Sequence, residues 1–213
     1  MYDRKDAYYR QAKKEGYRSR AAYKLAQIVA KEKAVRPGDR VIDAGAAPGG
    51  WSQILLGMVG RKGKIAAVDL LPMATLPGGN FRFWQRDLTD AALAPELLEF
   101  LGGKADAVVS DAAPNTTGSS FTDQARSADL VRAVFGLARG TLRDGGTFLA
   151  KIFGGAEADA VFRELKPSFA ELRRLRPEAT RKESFELYFL GKGYRGGEET
   201  GPGASPSPRG PRT

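Results

Sequence analysis

The chain has 213 residues, enough for one sizeable α/β domain, and a net charge of +9 from 34 Lys+Arg against 25 Asp+Glu. It has no cysteine and no histidine, which excludes disulfides, thiolate zinc sites, thiol nucleophiles and imidazole bases; no metal is expected, and proton transfer falls to Lys, Asp, Glu or Tyr. The charged opening MYDRKDAYYRQAKK does not read as a signal peptide and no apolar run approaches the ~20 residues of a membrane span, so a cytoplasmic protein with no membrane partner is expected.

In chain order, residues 1–40 hold 12 Lys+Arg against 5 Asp+Glu, and Tyr8, Tyr9, Tyr17 and Tyr23 interleave with those bases, a composition suited to stacking beside phosphate contacts. Segment 18–34, RSRAAYKLAQIVAKEKA, sets Ala22, Leu25, Ile28 and Val29 at helical spacing, with Ser19 as its cap, and stops before a Pro-Gly turn. RVIDAGA (40–46) then predicts a buried strand, GWSQILLGMVG (50–60) a helix and KIAAVDLL (64–71) a second strand. Past the turn PGGN (77–80), FRFWQRDL (81–88) predicts a third strand and ALAPELLEFL (92–101) a helix. ADAVVSDAAP (105–114) predicts a strand, SADLVRAVFGLARGTLR (127–143) a long amphipathic helix, GTFLAKIF (146–153) a strand and AEADAVFRELKPSF (156–169) a helix. AELRRLRP (170–177) and SFELYFLGKG (184–193) are two closing strands.

Strand and helix alternating in this way predict an α/β fold, a mostly parallel sheet with helices on both faces. Residues 1–195 are expected to form a single domain, with 1–36 as a basic N-terminal helical extension. The tail GGEETGPGASPSPRGPRT (196–213) has almost no apolar content and is expected to be disordered. Residues 41–160 are near neutral, with 11 Lys+Arg against 13 Asp+Glu, whereas residues 161–197 hold 9 against 5. Basic flanks around a neutral middle suit a polyanion gripped from the periphery; a solvated basic surface is the plainer alternative. A monomer is expected, since one domain with one site needs no partner copy.

The stretch DAGAAPGGW (43–51) follows the first strand, and a turn there sits at the carboxyl edge of the sheet, where ligands bind. Its spacing, G-A-A-P-G-G from Gly45 to Gly50, is neither the G-x-G-x-x-G of a dinucleotide fold nor a P-loop, since no Lys-Ser or Lys-Thr follows. A nucleoside without a phosphate fits better, and S-adenosylmethionine carries one together with an ammonium. Asp43 would favour that ammonium, and Gly45, Gly49, Gly50 and Trp51 belong to the turn that would let backbone approach. Asp69 closes the second strand, where an acid accepts both ribose hydroxyls, and Asp87 closes the third, where it would receive an adenine amino group. Taken singly, each is as well explained as a cap or a loop acid.

Asp111 ends the fourth strand in SDAAPN, where an Asx-turn is the plain explanation. Lys151 stands inside FLAKIF, in a strand that burial on both faces should make continuously apolar. Desolvating an ammonium is costly unless it is paired, so Lys151 either reaches the surface or meets a carboxylate. Glu186 repeats the anomaly in SFELYFL, and the two look like partners.

With GYRSRAAYKL, DAGAAPGGWSQ, VDLLPM, SDAAPN, FLAKIF and SFELYFLGKGYR in that order, the sequence from about Asp6 to Tyr194 resembles the FtsJ-type RNA ribose 2′-O-methyltransferases. Within that family it is most similar to the bacterial enzymes that methylate a uridine of large-subunit (23S) ribosomal RNA. The resemblance implies a class I methyltransferase fold with a seven-stranded sheet, S-adenosylmethionine as cofactor and ribosomal RNA, within the large ribosomal subunit, as partner. It places a Lys-Asp-Lys-Glu catalytic tetrad on Lys24, Asp111, Lys151 and Glu186, and cofactor contacts on Gly49, Trp51, Asp69, Asp87 and Asp111. Lys151 would be the general base and Lys24 would stabilise the developing oxyanion, with Asp111 and Glu186 orienting the amines. Lys13, Lys14, Arg18 and Arg20 are the expected phosphate contacts. Gly154 and the Gly/Pro tail depart from the family pattern without touching the tetrad. Other readings are methylation of transfer RNA or an mRNA cap, a nicotinamide-dependent oxidoreductase, which the glycine spacing opposes, and a non-catalytic RNA-binding assembly factor, which has no use for two internal lysines.

Overall fold

The apolar runs become seven strands of one sheet in the computed structural model, which describes residues 12–19, 21–177, 180 and 184–196. The elements are α1 (Ala21–Glu32), β1 (Arg40–Ala44), α2 (Gly50–Val59), β2 (Lys64–Asp69), β3 (Phe81–Gln85), α3 (Leu93–Leu101), β4 (Ala105–Ser110), α4 (Ser120–Thr141), β5 (Leu142–Phe153), α5 (Ala156–Leu165), β6 (Phe169–Leu175) and β7 (Glu186–Tyr194). The strand order is β3-β2-β1-β4-β5-β7-β6. All pairings are parallel except those of β7, which runs antiparallel to both β5 and β6. This is the mostly parallel α/β sheet that the alternation of elements predicts. Among the described residues no helix is long and apolar enough to cross a membrane.

Side chains alternate across a strand, so each strand feeds two cores. Ile42, Val68, Val108, Phe148, Ile152 and Phe189 pack with α3, α4 and α5 on one face. Val41, Ile65, Val109, Leu149, Tyr188 and Leu190 pack on the other with Leu25, Ile28 and Val29 of α1 and Trp51, Leu55 and Val59 of α2. The same parity sends Asp43, Asp111, Lys151 and Glu186 toward the α1 and α2 face. β1 lies between β2 and β4, where the chain winds outward in both directions, so a crevice opens at the carboxyl ends of these strands.

Several boundaries differ from those expected. The third strand stops at Gln85, so Asp87 stands in the turn beyond it, and the fourth stops at Ser110, leaving 111–119 as a loop. α4 begins at Ser120, seven residues early, because Asp123 accepts bonds from the Thr117 N–H (2.8 Å) and hydroxyl (2.9 Å) and organises a polar first turn that hydrophobic spacing does not reveal. α1 begins at Ala21, and the Ser19 carbonyl accepts from Ala22 N–H at 3.3 Å in its first turn. The tail beyond Gly196 lies outside the described residues.

Candidate active site

The glycine turn after β1 is shaped by close approaches. Gly45 has φ 75° and a Cβ there would lie 2.5 Å from the Ala112 Cβ, so only glycine lets this turn pass the loop after β4. Beside the turn is a cavity of about 730 Å³ lined by Gly45, Asp69, Leu71, Asp87, Asp111 and Leu130, among others. Asp69 accepts from Ala47 N–H and from Leu71 N–H, both at 2.8 Å, which fixes its carboxylate at the rim. Asp87 accepts from the Thr89 N–H (2.8 Å) and hydroxyl (2.7 Å), and these bonds hold its carboxyl below the usual carboxylate range.

Gly49, Gly50 and Trp51 lie elsewhere. Gly49, at φ 106°, faces the Arg18 guanidinium and the Met73 sulfur, and a side chain at Gly50 would run into Ser19. Trp51 is buried, donates to Ala21 O at 2.9 Å and stacks on Tyr188 at 5.9 Å. This half of the turn therefore seats the N-terminal arm, and among the described residues these three stand behind the lining of the cavity rather than in it.

Asp43 is fully buried on β1. One carboxylate oxygen accepts from the Ser52 hydroxyl at 2.6 Å; the other, Oδ1, has no hydrogen-bond partner among the described residues. Burial pushes its pKa up to about 7; the Ser52 bond opposes that rise and the charges of Asp111 and Asp69 add to it.

Four residues from four elements meet beyond Asp111. The Lys151 ammonium donates to the Asp111 carbonyl at 2.6 Å and pairs with Asp111 Oδ1 at 3.1 Å; the Lys24 ammonium donates to Glu186 Oε2 at 2.6 Å. Both lysines are 7% exposed. The expected partnership of Lys151 with Glu186 is thus corrected. Antiparallel register sets Lys151 opposite Tyr188 and Glu186 opposite Phe153, and each residue takes a partner from another element. Burial works to raise the Glu186 carboxyl, but the Lys24 hydrogen bond and the charges of Lys24 and Lys151 outweigh it and hold it below its ordinary value.

Tyr188 is a member of this group that sequence reasoning missed, because an aromatic in an apolar strand reads as core. Its hydroxyl donates to Asp111 Oδ1 at 2.7 Å. Burial, the Asp111 charge and this bond raise the phenol well above its usual range, so it stays a donor. Together these residues set two amines, each held by a carboxylate, beside the cavity that Asp111 lines.

The expected phosphate contacts divide. Lys13 and Lys14 are exposed, and Arg20 lies outside the described residues. Arg18 turns inward: its guanidinium donates to Ala74 O at 2.5 Å and to Pro48 O and Thr75 O at 3.4 Å, while its N–H donates to Gln53 Oε1 at 2.8 Å. It fastens the arm to the loops after β1 and β2.

A family model described as FtsJ-like methyltransferase matches residues 17–194. A curated relative named ribosomal RNA large subunit methyltransferase E, from Methanothermobacter thermautotrophicus, is 46% identical over 196 residues, covering 92% of this chain and 93% of its own. Its namesake from Bradyrhizobium sp. (strain BTAi1) is 49% identical, covering 91% and 84%. Among solved structures, a Plasmodium falciparum protein described as a ribosomal RNA methyltransferase aligns with a TM-score of 0.73 at 27% identity, over 84% of this chain and 98% of that one.

Proposed function

The chain belongs to the FtsJ-like methyltransferase family, and from that premise we propose that it transfers the methyl group of S-adenosylmethionine to a ribose 2′-hydroxyl, on a uridine of large-subunit ribosomal RNA, as a cytoplasmic monomer of one domain spanning residues 1–195. The observation that carries this reading is the pair of buried lysines, each tied to a carboxylate, beside the cavity after β1. A module that only binds RNA gains nothing from desolvating two ammonium groups.

The residues present suit the cofactor. The Oδ1 of Asp43, which has no hydrogen-bond partner among the described residues and lies in the company of Asp69 and Asp111, suits an ammonium. Asp69 and Asp87 line the cavity where a ribose diol and an adenine amino group find acceptors, and Gly45 keeps the turn thin enough for the ligand to lie against it. Gly49, Gly50 and Trp51, in the same turn as Gly45, are the further cofactor contacts of this reading, and they also seat the arm. When bound, S-adenosylmethionine supplies a methyl group on a sulfonium, an electrophile open to in-line attack.

The rest is done by the chain. A ribose hydroxyl is a poor acid, and Lys151, once it has given one proton to solvent and stands as a neutral amine held by the Asp111 carbonyl and carboxylate, takes the hydroxyl proton as the oxygen bonds to the methyl carbon and the carbon–sulfur bond breaks. The Lys24 ammonium, aimed by Glu186, stabilises the charge that appears on that oxygen. Tyr188 holds Asp111 in place. Lys13 and Lys14 meet RNA phosphates on the open side of the arm.

The test is incubation with labelled S-adenosylmethionine and under-methylated large ribosomal subunits, followed by mapping of the label. Label on one ribose 2′-oxygen is the expected result. Label on a base, on transfer RNA or on a cap would displace the reading.

A further inference from the structure

Among the described residues four large apolar side chains stand out in solvent: Leu70 at 64%, Leu71 at 65%, Phe121 at 75% and Phe185 at 71% exposure. Leu70 and Leu71 line the cavity after β1 and are explained by it. Phe121 and Phe185 do not line it. Both belong to segments held against one corner, the glycines that follow Lys151 on β5. Phe185 directly precedes Glu186, and its carbonyl accepts from Gly154 N–H at 2.8 Å, three residues past Lys151. Phe121 lies in the first turn of α4, whose Gln124 is packed against Gly155 so closely that a side chain at that glycine would overlap it. A further bond from Phe153 N–H to the Ser127 hydroxyl at 3.0 Å clamps α4 to the same corner. The Gly154–Gly155 corner, which follows Lys151 by three residues, thus joins the two segments that carry the exposed rings.

We infer that Phe121 and Phe185 are a stacking platform for unpaired bases of the RNA at and beside the target nucleotide; this rests on the reading of the chain as an RNA ribose methyltransferase. A 2′-hydroxyl reaches buried lysines only if its nucleotide leaves the helical stack, and an unstacked base needs a new π-surface. Single-stranded bases find it on exposed aromatic faces whatever their sequence. The setting favours a base over a protein partner. The two rings are separate and set among Ser119, Ser120, Thr122 and Ser184, not in one apolar patch of the size that docks a protein. The chain is net positive, which suits a polyanion.

The experiment compares wild type with Phe121→Ala, Phe185→Ala, Phe185→Leu and Phe185→Trp in the full chain. Each alanine variant should lower kcat/KM on under-methylated large subunits by about ten-fold or more while cofactor affinity is unchanged, Trp should restore it and Leu should not. The native tryptophans are buried at 3% and 5% exposure, so the added one in Phe185→Trp should dominate a fluorescence titration and be quenched by a uridine-containing single-stranded RNA. Active wild type with alanine variants of unchanged kcat/KM, or no quenching in Phe185→Trp, overturns the platform and leaves the methyltransferase reading standing. A wild type that methylates no ribose while Phe185→Trp is still quenched overturns the reading and leaves the platform. A leucine variant as active as the tryptophan one identifies a plain apolar contact, such as a protein partner makes, and overturns stacking.

Discussion

Lys151 is held at 7% exposure by two acceptors from one residue, the Asp111 carbonyl and carboxylate. If it is the general base, Lys151→Ala should lower turnover by roughly 10²–10⁴-fold with cofactor affinity intact. Lys151→Arg should fail as badly, because a guanidinium keeps the charge and the ion pair but does not accept a proton. Single-turnover rates with calorimetry of cofactor binding check both; an active arginine variant would leave Lys151 only a positive charge. Asp43 makes a prediction about pH. Its folded-state pKa, about 7, is above the ordinary value of 3.8, so the folded protein holds this proton more tightly than the unfolded one. Stability therefore declines as pH rises from about 4 to 7, and the cost is complete above 7. Asp43→Asn removes that cost and should raise the melting temperature of the cofactor-free protein more at pH 8 than at pH 4. If the carboxylate receives the cofactor's ammonium, wild-type affinity should fall by roughly ten-fold per pH unit below about 7, with proton release on binding, and the Asn variant should bind weakly at every pH. Calorimetry in buffers of different ionisation heat reads both effects.

At the level of elements, the N-terminal arm and the glycine turn form one device. Arg18, Ser19 and Ala21 meet the turn at Pro48, Gly49, Gly50 and Trp51, and α1 then carries Lys24 to Glu186. Arg18→Ala should loosen this seat, lowering kcat by about ten-fold through misplacement of Lys24 while the fold persists; steady-state kinetics beside a thermal melt separate the two effects. How much of this was legible in the sequence follows from what each signal reports. The alternation of apolar runs exposed the sheet and most element boundaries, because burial on both faces leaves strands continuously apolar. The anomaly of a charge in such a strand exposed Lys151 and Glu186. It did not expose their partners, because register is a property of two strands: Glu186 lies across from Phe153. Parity held more information than was used, since Asp111 follows Val109 by two and Lys151 follows Leu149 by two, all on the α1 and α2 face. Tyr188 gave no signal, and neither did the inward turn of Arg18, whose acceptors are backbone carbonyls that carry no sequence mark.

For the whole molecule, charge and cavity divide the work. The exposed bases of the arm stand apart from the neutral sheet, so neutralising Lys13 and Lys14 together should weaken RNA binding and reduce the slope of log affinity against log salt by about 1.4, at ~0.7 per contact for a single strand. Cofactor affinity should be unchanged. Filter binding across a salt series checks this, and an unaltered slope would remove the arm from the interface. The bond between Lys24 and Glu186 joins positions 162 residues apart. Translation lays down the first of them early and the second near its close, so a nascent copy owns an amine without the acid that aims it. If that pair belongs to the catalyst, activity waits for the last strand to leave the exit tunnel, and a half-made molecule has no means of modifying the machine that is synthesising it.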